Sequence, residues 1–117
     1  LDKVASFIEA MEKRLPELDA GAKAMIVSHL GDGNVHYSVW GKSQDPAVHD
    51  AITEAVEDET LKLGGSFSAE HGIGVSKLRS MARRKDPVSI AAMKAIKAAL
   101  DPNNIMNPGK ILPESLA

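Results

Sequence analysis

Three of the four histidines stand among glycines rather than in an apolar stripe, which leaves their rings free of packing duty and available for chemistry. His29 and His36 bracket Gly31-Asp32-Gly33-Asn34, and His71 follows Glu70 in the run Gly65-Ser66-Phe67-Ser68-Ala69-Glu70-His71-Gly72-Ile73-Gly74. Asp-Gly readily adopts the positive φ angles of a tight hairpin turn, so the first segment reads as strand, turn, strand. With Asp32-Gly33 as the turn, His29 pairs with His36; a four-residue loop from Gly31 to Asn34 gives the same pairing. Directly opposed residues share a face with Cβ atoms about 4.5–5.5 Å apart. Both imidazoles can then reach one ion, whereas a slip by one residue puts them on opposite faces. The plainer alternative is two histidines on a half-buried sheet, each hydrogen-bonded and nothing more.

A catalytic zinc usually takes three protein ligands and keeps one position open. A third donor must therefore come from elsewhere in the chain. Glu70 is the best placed by chemistry, because the small residues around it allow close approach of backbone and ligand. It could equally be a solvent-facing loop acid. Asp32 is the other candidate, although the turn itself has use for it. His49 lies early in a helical segment with no ligand spacing and reads as structural or exposed.

Other motifs carry less. Gly41-Lys42-Ser43 resembles the end of a phosphate loop, but His36 stands where the upstream glycine is required, and Gly72-Ile73-Gly74 lacks the third glycine of a dinucleotide fingerprint. The basic run Lys77, Arg79, Arg83, Arg84, Lys85 reads as a solvated helix face, with docking on an acidic partner the lesser reading. A net charge of −2 gives no reason to expect nucleic acid. No apolar run approaches the roughly 20 residues of a membrane span. With no cysteine, disulfides, thiolate metal sites and thiol nucleophiles are excluded, and the composition suits a cytoplasmic setting.

The elements that must position these residues can be read from periodicity and punctuation. Asp2 caps a first helix with Val4, Phe7, Ile8, Met11 and Leu15 at helical spacing, and Pro16 is expected to end it. Lys23 to Leu30 and Val35 to Gly41 read as strands. Asp45-Pro46 opens a second helix in the preferred order of cap and N1 proline, and Gly64 stops it. Two further helices follow, about Val75 to Lys85 and, after Asp86-Pro87, Val88 to Leu100. The tail from Asp101 is expected to be irregular. Aromatics are only 3%, so the core must be aliphatic.

The expected fold is α+β: an antiparallel sheet with helices packed on one face, a ferredoxin-like cap fragment. Two strands make a poor sheet alone. Either strands preceding Leu1 complete it, or a second copy of the chain does, as in a homodimer. A start at Leu1 without Met suggests a piece of a longer protein.

Taken in order, His29-Leu-Gly-Asp-Gly-Asn-Val-His36, Gly64-Gly-Ser-Phe-Ser-Ala-Glu70-His71-Gly-Ile-Gly74 and Asp101-Pro-Asn-Asn-Ile-Met-Asn107-Pro-Gly-Lys110 resemble the C-terminal signatures of FAD-linked oxidases. That flavoprotein group includes D-lactate dehydrogenase, D-2-hydroxyglutarate dehydrogenase and the glycolate oxidase flavin subunit. The resemblance covers about the last three quarters of the chain. It implies that residues 1–117 are a cap or substrate domain plus a flavin-contacting tail, with the flavin-binding domain absent. It implies a divalent metal, zinc or manganese, held by His29, His36 and Glu70, and His71 as the general base. It also implies that Asn107 and Lys110 return toward the FAD. The reaction implied is oxidation of a small D-2-hydroxy acid to a 2-oxo acid, with the substrate held at the metal's open positions.

Two departures bear on the carry-over. Ser38 stands where the hydroxyglutarate branch commonly has asparagine, which points away from that substrate, and the arginines that grip the substrate carboxylate lie upstream of this chain. The fragment alone is therefore expected not to turn over substrate, and the upstream flavin domain is its first partner. The competing reading is a non-catalytic α+β module that binds metal or self-associates. A helical interaction domain fits the alanine-rich Val88 to Leu100 but leaves the hairpin unexplained.

Overall fold

The computed structural model describes residues 2–113. Four helices and a two-stranded antiparallel sheet appear in the order α1 (Val4–Leu18), β1 (Lys23–His29), β2 (Asn34–Trp40), α2 (Pro46–Lys62), α3 (Leu78–Arg84) and α4 (Pro87–Leu100). The fold is α+β, as the alternation of patterns predicts. The chain divides into two compact units, Leu1–Glu70 and His71–Ala117.

In the first unit α1 buries Phe7, Met11 and Leu15, which recur every four residues along one face. Asp2 does not cap this helix: Lys3 occupies the cap position and makes no side-chain cap bond. Nor does Pro16 end it, since the helix runs on to Leu18. A proline removes one intrahelical donor, and so near the C-terminus the loss is tolerated. The Leu15 carbonyl is still satisfied by the Asp19 N–H at 3.0 Å.

Asp45 caps α2 as expected, its carboxylate accepting from the Ala47 N–H, with Pro46 at the start. The helix ends in a Schellman motif. Gly64 N–H bonds to Leu61 O and Gly65 N–H to Thr60 O, both at 2.9 Å, while Gly64 sits at φ 75°. A side chain on Gly65 would fall 3.1 Å from the Thr60 carbonyl, so both glycines are needed to turn the chain into the loop that carries Glu70.

The core of the unit is Phe7, Met11 and Ala55, with Ile8, Leu18, Val35, Tyr37, Val56 and Leu63 packed against it. Phe7 meets Tyr37 edge-on, with ring centroids 5.7 Å apart. Burial, with Glu12 nearby, pushes the Tyr37 phenol up. Thus α1 and α2 lie against one sheet face, through β2. Across the two helices Arg14 donates to Glu59 at 2.6 Å. Hydrogen bonds from Lys62 and Arg14 hold the Glu59 carboxyl below the usual range.

In the second unit Met81 and Ile90 are buried. Asp86 caps α4, its carboxylate accepting from both the N–H and the hydroxyl of Ser89. The expected helix from Val75 is shorter at its start: Val75 to Lys77 form a turn before Leu78.

Met11 is fully enclosed. Truncating a buried methionine leaves a cavity and costs about 2–5 kcal/mol. Met11→Ala is expected to lower the unfolding free energy from urea denaturation by that amount with an unchanged m value, while the exposed Val88→Ala control changes it by less than about 0.5 kcal/mol.

Candidate functional site

The hairpin register differs from the expected one. His29 pairs with Asn34, and His36 pairs with Val27. The cause is the turn: Leu30–Asp32 form a short 3-10 turn and Gly33 closes it at φ 68°, so the four-residue loop is Leu30 to Gly33 rather than Gly31 to Asn34. The 3-10 bond from Gly33 N–H to Leu30 O, 3.2 Å, takes Leu30 out of the strand. Moving the loop by one position shifts the pairing by two residues. Side chains alternate with period two, so the histidines remain on one face, placed diagonally instead of directly opposite.

That face is the outer one. Val35 and Tyr37 point into the helices, so His36 and its neighbours Ser38 and Trp40 point away from them. On β1 the residues sharing the outer face are Lys23, Met25, Val27 and His29.

Glu70 arrives from the loop after α2. Its Oε2 lies 2.9 Å from His36 Nε2, and its Oε1 lies 3.9 Å from His29 Nδ1. The two imidazole rings are 5.6 Å apart between centroids. One donor atom from each of the three residues lies within 4.8 Å of the others. Ligands about 2.1 Å from a tetrahedral zinc are about 3.4 Å from one another, so the observed separations bracket those of a bound set. All three side chains are partly open to solvent. Two imidazoles and one carboxylate are a donor set for zinc, manganese or iron rather than calcium. Asp32, the alternative acid, lies in the turn and is not one of the three converging residues.

His49 makes a structural bond, its Nε2 standing 2.8 Å from the Ser43 carbonyl. His71 follows Glu70 in sequence, opens the second unit and is exposed.

Within the second unit the loop containing His71 is tied to the tail by a hydrogen bond from Ile111 N–H to Gly74 O, 2.9 Å. Asn107 and Lys110 are exposed on that tail. Asn107 has φ 47°, a conformation asparagine tolerates, but Ile111 at φ 69° is a β-branched residue in the left-handed region and is strained. The tail is organised by a residue that sequence reasoning passed over. Asp101, at the end of α4, accepts the N–H groups of Ile105 and Met106 at 2.9 Å each and forms an ion pair with Lys97. Lys97 in turn donates to the Met106 carbonyl at 2.6 Å. The visible signal was an aspartate directly after a helix and before proline, one turn beyond a lysine.

Residues 1–111 match the family described as FAD linked oxidases, C-terminal domain, and the chain belongs to that family. Among its relatives is the mitochondrial D-2-hydroxyglutarate dehydrogenase of Arabidopsis thaliana, 37% identical over 99% of this chain and 20% of the relative. A probable mitochondrial D-lactate dehydrogenase of Danio rerio is 37% identical over 85% of this chain and 22% of the relative. The D-2-hydroxyglutarate dehydrogenase of Stutzerimonas stutzeri (strain A1501) is 34% identical over 93% and 25% respectively. The chain thus spans about a fifth to a quarter of the length of these relatives.

Lys97, with the Ile105 and Met106 amides, holds the Asp101 carboxyl down to about 2. The folded value lies below the unfolded value near 3.9. Its contribution is therefore complete above about pH 4 and is lost as pH falls through about 2. An acid titration followed by NMR should show the Ile105 and Met106 amides at native shifts down to pH about 3, moving with a midpoint near 2. In Asp101→Asn that transition should vanish.

Proposed function

We propose that this chain is the metal-holding and proton-handling part of a longer FAD-dependent dehydrogenase that oxidises a D-2-hydroxy acid to a 2-oxo acid. The convergence of His29, His36 and Glu70 on one point of the outer sheet face is the observation that carries the reading. Equal 37% identity to a hydroxyglutarate enzyme and to a probable lactate enzyme supports the substrate class the two share. Ser38, on the same face as His36, argues for a substrate other than hydroxyglutarate within that class.

Oxidation at C2 releases a proton from the hydroxyl and a hydride from carbon. When bound, a zinc or manganese ion would lower the hydroxyl pKa and the flavin would take the hydride. The chain's own residues account for the rest. His29 and His36 would hold the cation through their imidazole nitrogens, and Glu70 would supply a carboxylate that offsets part of the cation's charge. The three side chains are partly open to solvent, and a substrate carboxylate with its adjacent hydroxyl would enter from that side. His71, next in sequence to a ligand, takes the hydroxyl proton. Asn107 and Lys110, on the tail that Asp101 organises, turn toward the flavin.

The exposed apolar residues support a larger assembly. Met25 and Val27 on β1 are half exposed, and Ile96, Leu100, Ile105 and Met106 in the second unit are more so. Patches of this kind mark surfaces that pack on other protein, here the remaining polypeptide with its flavin domain. No helix among the described residues is long and apolar enough to cross a membrane.

Removing a ligand and removing the base should separate cleanly in the intact protein. His29→Ala or Glu70→Gln is expected to weaken Mn²⁺ binding about 100-fold or more, beyond the 10–100-fold seen for supporting partners, in isothermal titration. His71→Asn should keep the metal and lower kcat by about 10²–10⁴-fold. Stoichiometric metal binding that survives both ligand substitutions would sink the proposal.

A further inference from the structure

Outside the proposed site, side chain and backbone from three elements also converge around Asp19. Asp19, just after α1, is buried. Its Oδ2 accepts the N–H of Lys42 at 2.7 Å and the N–H of Ser43 at 3.0 Å, both just beyond β2. The Ala22 N–H bonds back to the Asp19 carbonyl at 3.0 Å, closing a turn directly before β1 begins at Lys23. Gly41 permits the approach: a Cβ there would lie 3.1 Å from Asp19 Oδ2 and 3.4 Å from His49 Nε2. His49, from α2, holds the Ser43 carbonyl from the other side. The carboxylate therefore joins the residue that leads into β1 to the residues that leave β2.

We infer that Asp19 is a positioning residue for the His29, His36 and Glu70 site, acting by fixing the register of the hairpin from its open end. The need for such a clamp follows from burial. Every residue of β1 is exposed, so sliding β1 along β2 loses little buried surface, and strands of that kind are weakly specified in register. Sliding β1 by one residue would carry His29 to the inner face and leave His36 on the outer. The turn at Leu30–Gly33 restrains one end, but a hairpin loop tolerates changes in length. At the other end the Asp19 turn and its two bonds to Lys42 and Ser43 leave β1 no slack. The inference rests on the metal reading for its consequence, but not for the clamp itself.

The test uses the intact protein and Mn²⁺ as the probe. Asp19→Ala should weaken Mn²⁺ binding about tenfold, on the scale of lost supporting partners. Asp19→Asn keeps an oxygen for both N–H groups and should stay within about twofold of the wild type. Gly41→Ala, which crowds the carboxylate, should mimic Asp19→Ala if the latter folds poorly. A register lock then distinguishes positioning from general damage. Ala24 and Val39 are directly paired; the double substitution Ala24→Cys with Val39→Cys closes a disulfide only in the native register. Once closed, it should restore Mn²⁺ affinity to Asp19→Ala. Unchanged affinity in Asp19→Ala, or a loss that the closed disulfide leaves uncorrected, overturns the inference. If the wild type binds no Mn²⁺ the metal reading falls by itself. The clamp is then judged by disulfide yield, and closure in Asp19→Ala as complete as with Asp19 present overturns it.

Discussion

The geometry of the site depends on a parity: His29 and His36 must be separated across the hairpin by an arrangement that leaves both side chains on the same face. Any even shift in the pairing preserves this and any odd shift destroys it, because neighbouring side chains on a strand point in opposite directions. The observed pairing, His29 with Asn34 and Val27 with His36, has the right parity. Diagonal placement separates the rings more than direct opposition would, and the 5.6 Å between their centroids leaves room for a carboxylate to enter between the two edges. Glu70 does so.

The sheet divides its labour by face. The inner face of β2 gives Val35 and Tyr37 to the core of Phe7, Met11 and Ala55, so burial secures that strand. The outer face carries the imidazoles. β1 gives His29 to that face and nothing to the core, every one of its residues being exposed. A strand so placed is held by its hydrogen bonds and its ends, which is why the chemistry of Leu30–Gly33 and of Asp19 matters more here than apolar patterning. Met25, Val27 and Trp40 are exposed, with nothing among the described residues of the first unit to cover them.

Local signals were legible where one residue type has one physical use. Asp45-Pro46 and Asp86-Pro87 marked helix starts because a carboxylate cap and a missing N–H are both useful there, and both carboxylates accept the expected amides. Gly64 marked a helix end because it can adopt a positive φ. The pairing of two histidines with Glu70 was readable as chemistry but not as geometry, since nothing in the spacing says where a long loop returns. Failures came where two uses compete. Pro16 reads as a helix stop, yet near a C-terminus it removes only one bond. Asp-Gly reads as a two-residue turn, yet Leu30 and Gly31 joined it to make a 3-10 turn. Asp19 escaped notice because the amides it accepts, Lys42 and Ser43, lie more than twenty residues away, and Asp101 was read only as the start of the tail although Lys97 stands one turn before it.

The third donor comes from the least regular part of the first unit, and its placement has two causes of different range. The Schellman end of α2 sets the direction in which the chain leaves the helix, through Gly64 and Gly65. The final approach is polar: the carboxylate meets the His36 edge at 2.9 Å and the His29 edge at 3.9 Å. A loop acid suits this position because its small neighbours let it approach, and the His36 edge lies within hydrogen-bond distance of it.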